Sequence, residues 1–228
     1  MHGRFAISLC VLVCTAFSAA GADAISANPR DFKVEIDNRY VRVLRSHFEP
    51  GARREVYESV GSCVVFLTDV HTRFTAADGS VEEFQGKAGT AGWLKPGRHA
   101  EENLSAQAAD YVVIELKPER VKEAPIMLDP VSIDPKYHSV AFENDRVRAI
   151  RTVLEPHIKS PAHEHPSYVV VYLTELHTTM TMADGRVLDN PRKPGDIGYR
   201  DRLKHVTENI GPKTAMEIQV ELKGEPVK

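Results

Sequence analysis

The sequence predicts an all-β protein built as two tandem copies of one small barrel. Three observations carry this: an internal repeat without gaps, short strand-like segments separated by turn residues, and weak helical periodicity throughout. At a constant shift of 106 residues the chain aligns on itself from Pro29 on Pro135 to Lys117 on Lys223. Roughly a third of about ninety aligned positions are identical, far beyond chance for an ungapped match. The anchors include Val41-Arg42 with Val147-Arg148, His71-Thr72 with His177-Thr178, and His99 with His205. They close with Glu102-Asn103 against Glu208-Asn209 and Glu115-Leu116-Lys117 against Glu221-Leu222-Lys223.

Each copy reads as a series of strands. Arg146 to Ile150 alternates polar and apolar residues, as a half-buried strand does. Tyr168 to Leu173 is an unbroken β-branched and aromatic run, suited to an inner strand. His177 to Met182 alternates again before Asp184-Gly185, a hairpin turn signal that Asp78-Gly79 repeats in the first copy. Met216 to Leu222 supplies a closing strand. Pro118 to Pro130, rich in charge and proline, reads as the connector. The expected division is a leader over 1–24, a first barrel over 25–120 and a second over 121–228.

The leader rests on Arg4, an apolar run from Phe5 to Phe17, and the A-x-A triplet Ala22-Asp23-Ala24. A run this short falls below the ~20 apolar residues that span a bilayer. No small-residue lipobox precedes Cys14. An uncleaved anchor is the alternative to a periplasmic or secreted protein with no membrane partner. Cys10 and Cys14 leave with the leader, so Cys63 is the one cysteine of the mature chain and internal disulfides are excluded. Cys63 lies in the apolar run Cys63 to Leu67 and reads as a small buried hydrophobe. Net charge is −3, with Lys and Arg scattered among acids. That pattern offers no stripe for a phosphate backbone, so a nucleic-acid partner is excluded.

The second copy carries the chemistry. In Pro161-Ala162-His163-Glu164-His165-Pro166, strand alternation points His163 and His165 the same way and Glu164 the other. Two imidazoles on one face reach a common ion at about 2.1 Å. Lys193-Pro194-Gly195-Asp196 and His205 follow, with Glu208 and Asn209 behind. A strand returning across the barrel would set His205 beside the first pair. The first copy has Tyr57, Ser59 and His99 at the same places, a poor divalent site. His71 and His177 read as barrel-face packing, and His138 and His157 as solvated residues near turns. There is no G-x-S-x-G elbow, and no Walker or Rossmann glycine pattern.

These motifs resemble the cupin superfamily: His-x-His after a Gly/Pro turn, then a turn glycine before His-x-x-x-Asn. Glu143 to Arg148 is similar to the E-N-D-R-V-R stretch of small bacterial cupins. The resemblance covers nearly the whole mature chain and implies two double-stranded β-helix (jelly-roll) barrels, a bicupin. It implies His163, His165 and His205 as metal ligands, with Asn209 as the trailing asparagine and Gly195 as the turn glycine. One departure stands out. The family's carboxylate ligand follows the second histidine by about four residues, where this chain has Val169. Three imidazoles remain, a set suited to Fe, Mn, Ni, Cu or Zn rather than to hard ions. Glu208 is expected to support an imidazole N–H, with direct ligation as its other role.

The expected function is a metal-dependent enzyme acting on a small molecule, dioxygenase-like or isomerase-like, with Tyr168, Tyr199 and Arg200 as candidates to orient the substrate. The alternative is a non-catalytic cupin that binds metal or a small ligand. A titratable group beyond the ligands favours catalysis, and purely apolar walls favour sequestration. A structural protein pairing through strand edges is the third reading, and homodimer formation is left open.

Overall fold

In a computed structural model, residues 21–225 are described; the apolar stretch of the leader lies outside them. The first copy contains α1 (Ala24–Ala27), β1 (Phe32–Asp37), β2 (Val41–Phe48), β3 (Arg53–Ser59), β4 (Ser62–Phe66), β5 (Val70–Ala76), β6 (Val81–Gly86), β7 (Ala91–Leu94), β8 (Gly97–Asn103) and β9 (Ala109–Leu116). The second contains α2 (Pro130–Ile133), β10 (His138–Glu143), β11 (Val147–Leu154), β12 (His163–His165), β13 (Tyr168–Tyr172), β14 (Leu176–Met182), β15 (Val187–Arg192), β16 (Ile197–Arg200), β17 (Leu203–Asn209) and β18 (Ala215–Leu222).

Each copy folds two antiparallel sheets against each other. The five-stranded sheets run β1-β2-β9-β4-β7 and β10-β11-β18-β13-β16; the four-stranded sheets run β3-β8-β5-β6 and β12-β17-β14-β15. Gly79 and Gly185 hold φ of 83° and 84° at the two Asp-Gly hairpins, a conformation that costs glycine little. His157 sits in the same left-handed region at 63°, where its counterpart Gly51 has 68°. The turn is thus retained across the repeat with a residue that strains it.

The two barrels meet through the outer faces of their five-stranded sheets. Val41, Cys63 and Ile114 of the first copy join Val147, Val169 and Val220 of the second in one apolar core. Trp93 stacks on Phe142 across this seam, with ring centroids 6.4 Å apart and planes 6° from parallel. The opposite faces fill each barrel: Leu44, Phe66 and Tyr111 in the first, Tyr168, Val170 and Tyr172 in the second. Both faces of β4 and β13 are therefore buried, which is why each reads as a continuous apolar run. Cys63 is fully buried here, and burial pushes its thiol up to about 12, so it is an inert packing residue.

The repeat extends further toward the N-terminus than the aligned identities show. Glu58 N donates to Ala22 O, and its counterpart Glu164 N donates to Leu128 O, both at 2.8 Å. Asp23 caps α1 and pairs with Arg42; Asp129 caps α2 and pairs with Arg148. The latter half of the connector is thus a strap laid on the second barrel rather than a free linker.

A shared seam makes the barrels one cooperative unit. Ile114→Ala, at a fully buried seam position, is expected to cost about 2–5 kcal/mol and to leave a single denaturant transition. Two separate transitions would show that the barrels unfold independently.

Candidate metal centre

Two residues of β12 and one of β17 build the site. His163 and His165 face inward from β12, and His205 on β17 pairs directly with His163 across the ladder. Their ring centroids lie 5.1 Å (163–165), 4.5 Å (163–205) and 5.5 Å (165–205) apart. One ligand atom from each lies within 4.8 Å of the others, and all three residues are buried. His163 Nδ1 lies 2.9 Å from Pro161 O, so it donates there and leaves Nε2 free. His165 Nε2 and His205 Nδ1 are buried without a hydrogen-bond partner. A buried imidazole nitrogen with no partner is costly unless something binds it, and a divalent ion fits that requirement. Burial depresses all three imidazoles, His205 to about 2, so they are neutral and ready to ligate near neutral pH.

The supporting carboxylate is Glu221, which the sequence reading missed. Its Oε1 lies 2.8 Å from His165 Nδ1, an arrangement that fixes the ring with Nε2 toward the other histidines when the carboxylate is ionised. Without an ion, burial raises Glu221 to about 8; a nearby divalent charge favours its ionised form. Glu208 is not a partner of the imidazoles: it faces outward and pairs with Lys159 at 3.2 Å. Asn209 is fully buried but braces the barrel end instead, donating to Leu154 O and Lys213 O at 2.9 and 2.8 Å. Val169 points away from the site into the seam, so a carboxylate there would not reach the ion.

Two of the three candidate orienting residues enter the barrel. The Tyr168 ring lies 5.0 Å from that of His165. Arg200 points inward, its Nη2 3.4 Å from Tyr172 Oη and 3.3 Å from Asn190 Oδ1. Among the described residues no carboxylate lies within ion-pair distance of Arg200. Tyr199, one residue earlier on β16, faces the seam, because alternation sends it opposite to Arg200. Glu217 shares the inward face of β18, accepts from Gln219 Nε2 at 2.8 Å, and is pushed up to about 7 by burial, which the Arg200 charge partly offsets. His138 is buried rather than solvated: its ring lies 5.1 Å from that of His163, and burial lowers it to about 4. His71 and His177 do not pack in the barrels; they pair with Glu83 and Asp189 on the outer surface.

The first barrel resolves the same space differently. Arg54 sits on the inside of β3, its guanidinium 4.1 Å from the Phe32 ring and 3.9 Å from the Phe48 ring. It donates to Glu101 at 2.8 Å, Ser46 at 2.7 Å and Tyr111 at 2.6 Å. Tyr57, at the place of His163, donates to Glu101. Burial alone would raise the Glu101 carboxyl, but hydrogen bonding from His99 and the Arg54 charge hold it below its ordinary value. The first barrel thus carries an internal cation, Arg54, at the place of Ser160, while Tyr57, Ser59 and His99 stand at the three ligand positions.

These shifts set the pH dependence of the metal-free protein. His138, His163, His165 and His205 have folded values below the ordinary 6.5, so the unfolded chain takes up protons first as pH falls below 6.5, and stability drops. Glu217 and Glu221 have folded values near 7 and 8 against 4.5, so stability drops as pH rises through those values. Denaturant midpoints across pH are expected to peak near 6.5. A flat profile between 5 and 8 would contradict this assignment.

No family model matches the chain, and no curated protein matches it. Solved structures do. Bacillus subtilis oxalate decarboxylase, a protein with Mn(II) centres, is similar at a TM-score of 0.59 and 13% identity, over 82% of this chain and 70% of that one. The formate complex of Lactobacillus farciminis oxalate decarboxylase is similar at 0.58 and 11%, over 82% and 78%. At these identities the likeness is one of fold: two double-stranded β-helix (jelly-roll) barrels in one chain, packed sheet to sheet.

Proposed function

We propose that the protein is a metal-dependent enzyme that acts on a small organic anion in its second barrel. The observation that carries this reading is the triad His163, His165 and His205, buried and close enough to share an ion, with His165 Nε2 left without a partner. A divalent transition metal held there supplies Lewis-acid or redox chemistry to substrate oxygens. Mn is the first ion to test, because the structural neighbours include an oxalate decarboxylase with Mn(II) centres; Fe, Ni, Cu and Zn suit the same ligands.

The rest of the barrel argues for an anionic substrate. Arg200 brings a positive charge into the interior with no carboxylate of the described residues within ion-pair distance. Its nearby carboxyl, Glu217, is pushed toward the neutral form by burial, and three neutral imidazoles do not cancel the charge of the metal. A buried cation without a counterion is costly, so an incoming carboxylate or enolate-like oxygen would satisfy it. Glu217, poised near neutral pH, is placed to hold or give a proton, and Tyr168 offers a hydroxyl beside His165. A barrel that only sequestered metal would need none of these groups, so their presence supports turnover over storage. Decarboxylation therefore joins dioxygenation and isomerisation as a reaction class for assay.

We also read the protein as exported. Cleavage after Ala24 would remove Asp23, which caps α1 and pairs with Arg42. Ala20-Gly21-Ala22 has the same A-x-A form, and cleavage after Ala22 keeps Asp23.

The test uses protein loaded with cobalt(II), whose visible bands report on the ion's surroundings. Oxalate or acetate is expected to shift those bands saturably, and Arg200→Met to weaken the effect roughly ten- to hundredfold with cobalt content unchanged. Equal affinities in both proteins, or no response to any carboxylate, would overturn the reading.

A further inference from the structure

Each barrel has a strap of chain laid along one strand, residues 21–23 beside β3 and residues 127–129 beside β12. Glu58 N donates to Ala22 O as Glu164 N donates to Leu128 O, both at 2.8 Å. The carboxylates of the same two residues also turn toward the straps. Glu164 Oε2 accepts from Met127 N at 3.0 Å, and Glu58 Oε2 accepts from Gly21 N at 3.2 Å. Asp23 and Asp129 then cap the two short helices. The first copy thus keeps the binding pattern of the second, and that pattern starts at Gly21.

The two carboxylates differ in one respect. Glu164 also has a cation, because Arg202 Nη2 lies 3.5 Å from its Oε2, and the same guanidinium holds Ala124 O and Pro125 O of the strap. The residue 106 positions before Arg202 is Pro96, which carries no charge. Among the described residues, the one donor to the Glu58 carboxylate is the amide of Gly21. A charged donor binds a carboxylate more strongly than a neutral amide does. If the chain began at Gly21, its terminal ammonium would put a positive charge on the atom that already faces Glu58.

Beyond the apolar run of the leader, small residues stand at the last and third-last positions for cleavage after Ala20, Gly21, Ala22 or Ala24. Cleavage after Ala24 removes Asp23, with its cap and its pair with Arg42. Cleavage after Ala22 removes the acceptor of Glu58 N, and cleavage after Gly21 removes the donor to the Glu58 carboxylate. Of the four, cleavage after Ala20 alone keeps every contact of the strap. We propose that a leader-removing peptidase cuts between Ala20 and Gly21, and that the freed ammonium of Gly21 pairs with Glu58. This rests on the reading of the protein as exported. The peptide bond breaks with one water consumed. The hydroxyl of the water joins the Ala20 carbonyl carbon, and its proton and that of the new carboxyl leave Gly21 as an ammonium. The charge that the second barrel takes from Arg202 thus comes, in the first, from the processed terminus.

The full chain, expressed with its leader in a bacterial host, tests this by intact mass and N-terminal sequencing of the exported protein. The expected first residues are Gly21-Ala22-Asp23-Ala24. Ala20→Leu is expected to block this processing. Ala22→Leu, at an exposed position, is expected to leave it unchanged, although it would block cleavage after Ala22 or Ala24. An exported chain that begins at any residue but Gly21 overturns the proposal and leaves export standing. A chain recovered with its leader intact overturns both. The ion pair is tested on the purified chain beginning at Gly21, beside its Nα-acetylated form, each with and without Glu58→Gln. Acetylation removes the charge and keeps an N–H, and is expected to raise the ratio of unfolded to folded protein about two- to fivefold. With Glu58→Gln present, acetylation is expected to change nothing. Equal effects in both backgrounds overturn the pairing of Gly21 with Glu58.

Discussion

Burial of the five-stranded sheets on both faces is the constraint from which the rest follows. A strand sends successive side chains to opposite sides, so each strand of those sheets contributes alternately to the seam and to a barrel interior. Seam positions must be apolar to hold the barrels together, as Val169, Val171, Ile218 and Val220 are. Interior positions are free to carry chemistry, provided every polar group there finds a partner. On β18 the interior residues are Glu217, Gln219 and Glu221, and the intervening ones are all apolar members of the seam or Met216. A shift of one residue in register would exchange these two sets, so the apolar seam also fixes which side chains face the metal centre.

Duplication then lets one scaffold solve the same packing problem twice. In the second barrel, neutral imidazoles line up behind Glu221 and leave nitrogen lone pairs unmatched, a state suited to an added cation. In the first, the cation is part of the chain: Arg54 stands between Phe32 and Phe48 and pairs with Glu101. Removing either member would leave the other charged and buried, an expensive state that keeps the pair together. With the ion replaced internally, the neighbouring positions no longer need polar side chains, and they are filled by Leu94, Val113, Phe84 and Phe66.

Much of this was legible in the sequence, for physical reasons. The repeat, the Asp-Gly hairpins and the buried run of β13 follow from local patterns, and the His-x-His pair follows from strand alternation. Glu221 was not legible, because the barrel brings it to His165 from 56 residues away. Its position was nonetheless in view as the repeated Glu115/Glu221 anchor. His138 looked solvated because the α2 turn that packs beside β10 gives no strong local signal. Arg54 was hidden by an irregularity: β3 shifts register between Arg54 and Tyr57, so simple alternation cannot place both inside. Tyr199 could have been assigned outward by alternation from Arg200, had the inward face of β16 been fixed first.

The central claim is that the two copies divide the work, with one barrel holding a metal and the other an internal ion pair. Elemental analysis of the purified protein after incubation with Mn(II), beside His165→Ala and His99→Ala, tests it most directly. Close to one ion per chain is expected in the parent and in His99→Ala, and almost none in His165→Ala. Two ions per chain, or an ion that survives loss of His165 and disappears with His99, would contradict it.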